Sequence, residues 1–272
     1  MDIIQNIDYH IVDSCNLNCK HCNHFCPVVP KSQRLKPLGK IMRDISYLYD
    51  YRDIFNTLTI IGGEPFIYPE IDKVFDFVRN MFPDKRIQTI TNGTLHYRLG
   101  TIADSIVNNN IYVTVSLYPV SYREDIRKAF QAVIPDYLLT FDEVSTTNGF
   151  SGSLLRESTQ GEDFNKILHC PRRHWCTQLR DNRLYICHFA AGLDILKNHF
   201  KDQVKIDEND CYIELGPGTS GEDVLLFLNN YIPDVCRHCD DVNQYSVEDG
   251  VYYFNYVPWG KSNMELSEFY RR

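Results

Sequence analysis

Basic residues are in short supply in this sequence. Lysine and arginine number 28 against 36 aspartates and glutamates, which leaves a net charge of −8. A chain that grips nucleic acid carries the opposite excess, so phosphate binding is excluded as the main task and no nucleic-acid partner is expected. Long apolar runs are missing too: none approaches the ~18–20 residues of a membrane span, so no membrane partner is expected. Met1 to His10 holds Asp2 and Asp8 and no apolar core. That is unlike a secretory signal, and the protein reads as cytoplasmic. Wholesale disorder is excluded by 43% hydrophobic and 24% charged residues, which is ordinary globular usage. Cysteine is absent from 27 to 169 and clustered on either side, at 15, 19, 22 and 26 and at 170, 176, 187, 211, 236 and 239. Ten are too few for a disulfide scaffold, and a chain of this length needs none, so they read as thiols grouped in two sites.

What is present is an alternation of strand and helix patterns, without repeats or low-complexity tracts. Residues 7–12 alternate like a strand and feed into the first cysteines. Pro37 opens a helix over 38–51, with Leu38, Ile41, Ile45 and Leu48 at helical spacing. Residues 57–61 form a β-rich run closed by Gly62-Gly63, and Pro69 opens a second helix with Ile71, Val74, Phe75, Val78 and Phe82 on one face. Further strands are expected over 86–91, closed by an Asn92-Gly93 turn, over 111–117 and over 137–141. Helices fall between them, one over 100–108 and one through Ile134, whose Ser121 and Glu124 read as a capping box. Repeated strand–helix units imply a parallel sheet with right-handed crossovers. About 140 residues fall short of the ~250 of a closed eight-unit barrel. The expected fold class is therefore α/β, a partial (β/α)5-6 TIM-like barrel or open sheet, with ligands beyond the carboxyl ends of the strands.

From 142 the chain turns polar, with Gly149, Gly152 and Gly161. Domains are expected at 1–145 and 170–272, joined by a linker at 146–169. In the second, Cys176 and Cys187 bracket a hairpin with an Asp-Asn turn, and a helix at 221–231 leads to Cys236-Arg-His-Cys239.

Cys15-x3-Cys19-x2-Cys22 supplies three thiolates on one loop after the first strand. Three ligands so close in sequence suit a four-iron cluster held at three corners, its fourth iron open to a substrate. Structural zinc prefers four ligands, commonly in pairs, and Cys26 or His24 would complete such a site.

Joined to Gly62-Gly63-Glu64-Pro65 after the second strand, Thr91-Asn92-Gly93 after the third and Ser116 near the end of the fourth, this motif resembles the radical S-adenosylmethionine (SAM) superfamily over residues 7–141. The resemblance implies that Cys15, Cys19 and Cys22 hold a [4Fe-4S] cluster whose open iron is chelated by SAM. It further implies that Gly62, Gly63 and Glu64 receive the SAM ammonium, that Ser116 bonds its ribose or carboxylate, and that Asn92 sits on the same rim. Glycine admits close backbone approach and a carboxylate suits a cation, which agrees. Tyr118 stands where many relatives carry an acidic residue.

The later cysteines, Cys170-x5-Cys176-x10-Cys187 and Cys236-x2-Cys239, resemble the auxiliary-cluster appendages of the same superfamily, SPASM and its shortened twitch form. Their spacing is closest to short members with one auxiliary cluster. This implies a small cysteine-rich twitch/SPASM-like appendage with an auxiliary [4Fe-4S] cluster on Cys187, Cys236 and Cys239, joined by Cys170 or Cys176. A four-cysteine zinc site suits the same layout. Cys26 and Cys211 read as unligated. Residues 15–25, 178–187 and 259–262 also resemble radical SAM proteins that accompany sugar and polysaccharide genes.

The implied chemistry is reductive cleavage of SAM to methionine and a 5′-deoxyadenosyl radical, fed by a flavodoxin- or ferredoxin-type electron donor. Hydrogen is then taken from a small polar substrate such as a sugar, cyclitol or nucleotide-linked sugar. An auxiliary cluster that accepts the remaining electron gives oxidation. A free Cys170 or Cys176 that returns a hydrogen atom gives epimerisation, so both are candidate catalytic residues. Asp142, Glu143 and Arg156 are candidate substrate contacts at the barrel mouth. Two other functions stay open. A peptide-modifying maturase also uses auxiliary clusters, although no region before the first strand remains for a leader-peptide-binding domain. A non-catalytic zinc or iron–sulfur module leaves Gly62-Gly63-Glu64-Pro65 unexplained. The aromatic tail, Tyr252-Tyr253-Phe254 with Tyr256 and Trp259, reads as a strand packed over the barrel or a substrate-stacking surface.

Overall fold

Period-two patterning lays down the central sheet. The computed structural model describes residues 2–30, 35–144, 150–151, 155–157, 167–239, 245–248, 251–254, 256–257 and 261–271. Strands β1 (Ile4–Val12), β2 (Phe55–Gly62), β3 (Arg86–Thr91), β4 (Tyr112–Leu117) and β5 (Leu139–Glu143) pair in parallel in chain order. β6 (Thr177–Arg180) joins the other edge of β1 in the same direction, and β7 (Arg183–Tyr185) and β8 (Tyr212–Glu214) follow antiparallel. β5 and β8 are the two edges, so this is an open, partial TIM-like barrel. One sheet thus draws strands from both sides of the expected linker.

Helices α1 (Leu38–Tyr47), α2 (Ile71–Met81), α3 (Leu99–Asn108) and α4 (Arg123–Val133) make the crossovers. Their buried residues, among them Ile41, Phe75, Ile106 and Phe130, share one core with Ile7, Tyr9, Leu58, Ile60, Ile87, Val113 and Val115. Each large apolar side chain buried there contributes roughly 1.5–3 kcal/mol, so the packed face rather than helix propensity holds the layer. Residues of the opposite parity, Asn6, Asp8, Thr59, Gln88 and Ser116, fall on the concave face. Alternation has therefore made the barrel apolar outside and polar within.

Several expectations shift. α1 stops at Tyr47, and Leu48–Ile54 tightens into 3-10 turns that keep Leu48 and Tyr51 buried. α4 starts at Arg123 with Tyr122 at its N-cap and no side-chain cap. Ser121 lies one residue too early, and the expected capping box does not form. β5 begins at Leu139 because Asp136–Leu138 forms a 3-10 turn, and it runs on to Glu143, so the strand takes in Asp142 and Glu143, where the polar stretch begins. Within the linker, Phe150–Ser151 pairs with Tyr256–Val257 and Leu155–Arg156 with Tyr270–Arg271. Gly149, Gly152 and Gly161 lie outside the described residues. The hairpin expected between Cys176 and Cys187 does form, turning at Asp181 and Asn182, whose φ values of 51° and 62° suit residues tolerant of the left-handed region.

Among the described residues four more helices follow: α5 (Arg172–Trp175), α6 (His188–Phe200), α7 (Gly221–Asn230) and α8 (Asp234–Arg237). A Ser220–Asp223 capping box starts α7. The aromatic tail pairs Val251–Phe254 with Tyr245–Glu248 in a separate two-stranded ribbon. Trp259 lies outside the described residues. Among the described residues no helix is long and apolar enough to cross a membrane.

Candidate active site

Beyond Val12 the chain turns across the carboxyl ends of the strands. Left-handed backbone at His21 and Phe25 folds this loop back on itself. Cys15, Cys19, Cys22 and Cys26 come round one cavity of about 200 Å³, whose other walls include Gly62, Gly63, Asn92, Ser116 and Tyr118. Backbone bonds seat the loop on β2: Gly63 N donates to Val12 O (2.9 Å) and Glu64 N to Ser14 O (2.8 Å). Asn92 Nδ2 donates to Asn16 Oδ1 (3.0 Å) and lies 3.7 Å from Cys15 Sγ, while Leu17 N donates to the same sulfur (3.3 Å). Asn16 in turn donates to Thr94 Oγ1 (2.6 Å).

Glu64 is the motif residue the structure places differently. Its carboxylate is wholly buried and absent from the cavity wall. Oε1 accepts from Phe66 N (3.0 Å) and Thr91 Oγ1 (2.7 Å), and Oε2 from Asn92 N (2.7 Å). Burial pushes its pKa up to about 7 against these three bonds. Its geometry is that of a tie between the β2 and β3 loops.

The donor chemistry fits an iron–sulfur cluster. Four thiols line one cavity, three of them, Cys15, Cys19 and Cys22, in the spacing of the motif, and N–H groups already point at Cys15 sulfur. Cys22 is drawn below the usual thiol range chiefly by the Cys26 thiol, against burial and with help from backbone amides, whereas burial pushes Cys15 up to about 12. Binding of a thiophilic metal releases such protons. Among the described residues no three His, Cys, Asp or Glu groups converge as ligands of a single ion would. Burial and then the neighbouring thiols push the Tyr118 hydroxyl far above its usual range, so it meets the cavity protonated.

Two partners of this loop carry no motif. Asp13 bonds His10 Nδ1 (2.8 Å), and His10 Nε2 meets His24 Nδ1 (2.9 Å). Burial would raise Asp13, but Lys36 and His10 outweigh it and hold it well below the usual carboxylate range. A distant strap closes the other side. Asn18 exchanges backbone and side-chain bonds with Ser262 (2.7 and 2.9 Å), Cys19 bridges Lys261, and His21 Nδ1 bonds Glu268 O (3.0 Å).

Asn23, His24, Ile61 and Ile90 wall both this cavity and a larger one of about 590 Å³ inside the barrel, within the ~300–1,000 Å³ range of small-molecule sites. Asn6, Asp8, Gln88, Arg172, Trp175, Cys176 and His188 line the larger chamber. A polar row crosses it: Gln88 Nε2 donates to Thr59 Oγ1 (2.7 Å), Thr59 to Asn6 Oδ1 (2.5 Å) and Asn6 Nδ2 to Asp8 Oδ1 (2.7 Å). Burial lifts Asp8 to about 7 despite bonds from Asn6 and Thr59. Folded Asp8 therefore holds its proton between about pH 4 and 7 while the unfolded residue has lost it, so stability falls as pH rises through that window. Asp8→Asn is expected to be more stable than the parent at pH 8 by roughly 2–4 kcal/mol and equal to it near pH 4. Urea unfolding at the two pH values measures this, and an equal difference at both would refute it.

The remaining cysteines divide. Cys170, Cys187, Cys236 and Cys239 line one narrow apolar cavity with Ile186, Phe189 and Val235. Arg173, 2% exposed, lies on its wall, and its guanidinium faces the Cys236, Cys170 and Cys187 thiols. Among the described residues no carboxylate pairs with this buried cation, so four thiolates and a metal cluster of net negative charge fit it. Cys176 lines the chamber instead, and burial pushes its thiol up to about 12. Cys211 is fully buried, with its sulfur near Asp207 O and Asp210 Oδ1.

Neither Asp142, Glu143 nor Arg156 lines either cavity. Glu143 is exposed at the end of β5 and pairs with Arg123 and Arg127. Arg156 sits in the short strand against residues 270–271. Position near the barrel mouth did not reveal where these side chains lie.

Residues 9–139 match the radical SAM superfamily model. The Bacillus subtilis (strain 168) antilisterial bacteriocin subtilosin biosynthesis protein AlbA is 26% identical over 113 residues, 42% of this chain and 24% of that protein. The chain thus matches about a quarter of that relative's length. A crystal structure of BtrN in complex with AdoMet and 2-DOIA superposes with a TM-score of 0.56 at 13% identity, over 94% of this chain and 100% of that one. This likeness is one of fold. Streptococcus suis SuiB bound to precursor peptide SuiA aligns with 50% of this chain and 29% of its own at 20% identity, with a TM-score of 0.33.

Proposed function

Because residues 9–139 are a radical SAM superfamily domain, we propose an enzyme that takes a hydrogen atom from a small polar substrate, a sugar, cyclitol or nucleotide-linked sugar, with oxidation or epimerisation as the outcome. The carrying observation is the seating of Cys15, Cys19 and Cys22 round a cavity that adjoins a polar chamber. When bound, a [4Fe-4S] cluster with SAM supplies hydrogen-atom abstraction from an unactivated carbon. The protein's own groups do the rest. The three thiolates hold the cluster, Gly62 and Gly63 let SAM approach the backbone, and Asn92, Ser116 and Tyr118 supply its polar rim. Asn6, Asp8 and Gln88 hold substrate hydroxyls at a fixed distance from the cluster cavity, where misplacement would quench the reaction. Cys170, Cys187, Cys236 and Cys239 hold an auxiliary [4Fe-4S] cluster in the 170–272 segment, which also adds three strands to the sheet of the 1–145 segment. Electrons come from a ferredoxin- or flavodoxin-type donor. A reducing cytoplasm is the compartment that keeps such thiolates available for cluster binding.

Anaerobic iron and sulfide analysis tests this reading. About eight irons per chain are expected, falling to about four in a Cys15/Cys19/Cys22→Ala triple variant, with loss of SAM-dependent 5′-deoxyadenosine formation. A zinc-only preparation overturns it. The stretch similar to the subtilosin biosynthesis protein favours a peptide substrate as the second reading. Turnover of a free sugar or cyclitol without any peptide excludes that alternative.

A further inference from the structure

Register decides where Cys176 points. β6 runs parallel to β1 with Ile7 opposite Thr177 and Asp8 opposite Gln178. Thr177 and Leu179 are buried, so the alternation puts Cys176, one residue before β6, on the concave face beside Asn6. Asn6 Nδ2 pins this junction by donating to Trp175 O (3.0 Å). Cys170 precedes α5 and falls in the other cavity, with Cys187, Cys236 and Cys239.

A second feature of the chamber points to a ligand. His188 is 3% exposed and lines the same wall, yet its Nε2 has no partner among the described residues. An unpaired buried nitrogen costs about 1–3 kcal/mol, which a substrate hydroxyl would recover. His188, Asn6, Asp8 and Gln88 together offer donors and acceptors suited to neighbouring hydroxyls on one ring.

We propose that Cys176 is the hydrogen-atom donor of this chamber, not an iron ligand, and that the reaction is an epimerisation. The inference rests on the radical SAM reading above and deepens it. Cys176 stands at the level of Asn6, towards the amino ends of the strands, whereas the three-cysteine cavity lies past their carboxyl ends. A substrate seated between them loses hydrogen towards one end of the chamber and regains it from the other. An S–H bond is weaker than the C–H bond of a carbinol carbon, so transfer from thiol to carbon radical runs downhill. In that step the Cys176 S–H bond breaks, a C–H bond forms on the opposite face, and a thiyl radical remains. One electron from the ferredoxin- or flavodoxin-type donor and one proton from solvent restore the thiol. The substrate is neither oxidised nor reduced.

Iron content and thiol mapping of the full-length, anaerobically reconstituted protein separate the two roles without turnover. Cys176→Ala is expected to keep the parent's iron, whereas Cys170→Ala loses about half of it. Prolonged N-ethylmaleimide treatment at about pH 9, followed by peptide mass mapping, is expected to modify Cys176 slowly in the iron-loaded protein, as a buried protonated thiol reacts, and to spare Cys170, Cys187, Cys236 and Cys239. Loss of half the iron in Cys176→Ala, or protection of Cys176 with modification of Cys170, overturns the inference. A protein that binds no iron at all fails the broader reading instead. With a turned-over sugar or cyclitol, reaction in D2O is expected to place one deuterium at the inverted carbon, and Cys176→Ala to lose inversion. A two-electron-oxidised product formed equally by both proteins excludes the donor role.

Discussion

Substituting Gly63 by alanine is expected to destabilise the protein by about 3 kcal/mol or more and to empty the first cysteine loop of iron. A Cβ there would stand 2.3 Å from Ser14 O, 2.5 Å from Ser14 C and 2.9 Å from Cys15 N. These are backbone atoms of the loop itself, and no rotamer change can relieve the clash. Overpacking usually costs about 1–3 kcal/mol, and rigid backbone on both sides puts this site at the upper end. Relief requires the cysteine loop to lift off β2, which breaks the bond from Glu64 N to Ser14 O and displaces Cys15. Gly100→Ala is the control: nothing lies within 4 Å of its added carbon, in the first turn of α3. That change is expected to stabilise by about 0.5–1 kcal/mol. Urea unfolding with iron analysis of both variants measures the contrast, and a Gly63→Ala protein with parental stability and iron would refute the contact.

Arg173→Met is expected to be nearly as damaging, and more so when iron is present. The guanidinium donates from Nε and Nη2 to Leu228 O (3.0 and 2.7 Å) and from Nη2 to Tyr231 O (2.5 Å). Methionine fills similar volume but leaves both carbonyls of α7's end without that partner, at about 1–3 kcal/mol each. This part of the loss falls on metal-free and metal-loaded protein alike. The charge adds a part that does not. With thiolates and cluster in the adjoining cavity the cation is compensated, so its removal costs the loaded form roughly 1–3 kcal/mol more. Anaerobic thermal unfolding of both forms measures the difference, and equal losses in both would mean that the arginine is only a brace for α7.

The sequence made the barrel legible wherever the signal was local. Ile87, Thr89 and Thr91 alternate with Arg86, Gln88 and Ile90, which is enough to set β3 and its two faces. Glycine at 62 and 63 marked the close approach to the cysteine loop, and the thiol spacing marked the cavity. What stayed hidden depends on register between distant segments. Nothing near Cys176 distinguishes it from Cys170 until β6 is aligned with β1. Arg173 looked like one more charge on a short helix, yet it is buried by α7, more than fifty residues later. Glu64 was found by its motif, but its three donors belong to the next strand and to its own turn. Asp142 and Glu143 were chosen for charge near the mouth, and the pull of Arg123 and Arg127 on α4 was not readable from spacing.

The strap across the first cysteine loop bears on when the site is made. Asn18 and Ser262 are 244 positions apart, and His21 and Glu268 are 247. At a ribosomal rate of about 5–20 residues per second, Cys15, Cys19 and Cys22 are synthesised roughly 12–50 s before their clasp. Throughout that interval the three thiols hang on a nascent chain, open to stray copper or zinc and to oxidation. Iron–sulfur delivery to this loop is therefore expected only after residues 261–268 have been made and folded back onto it.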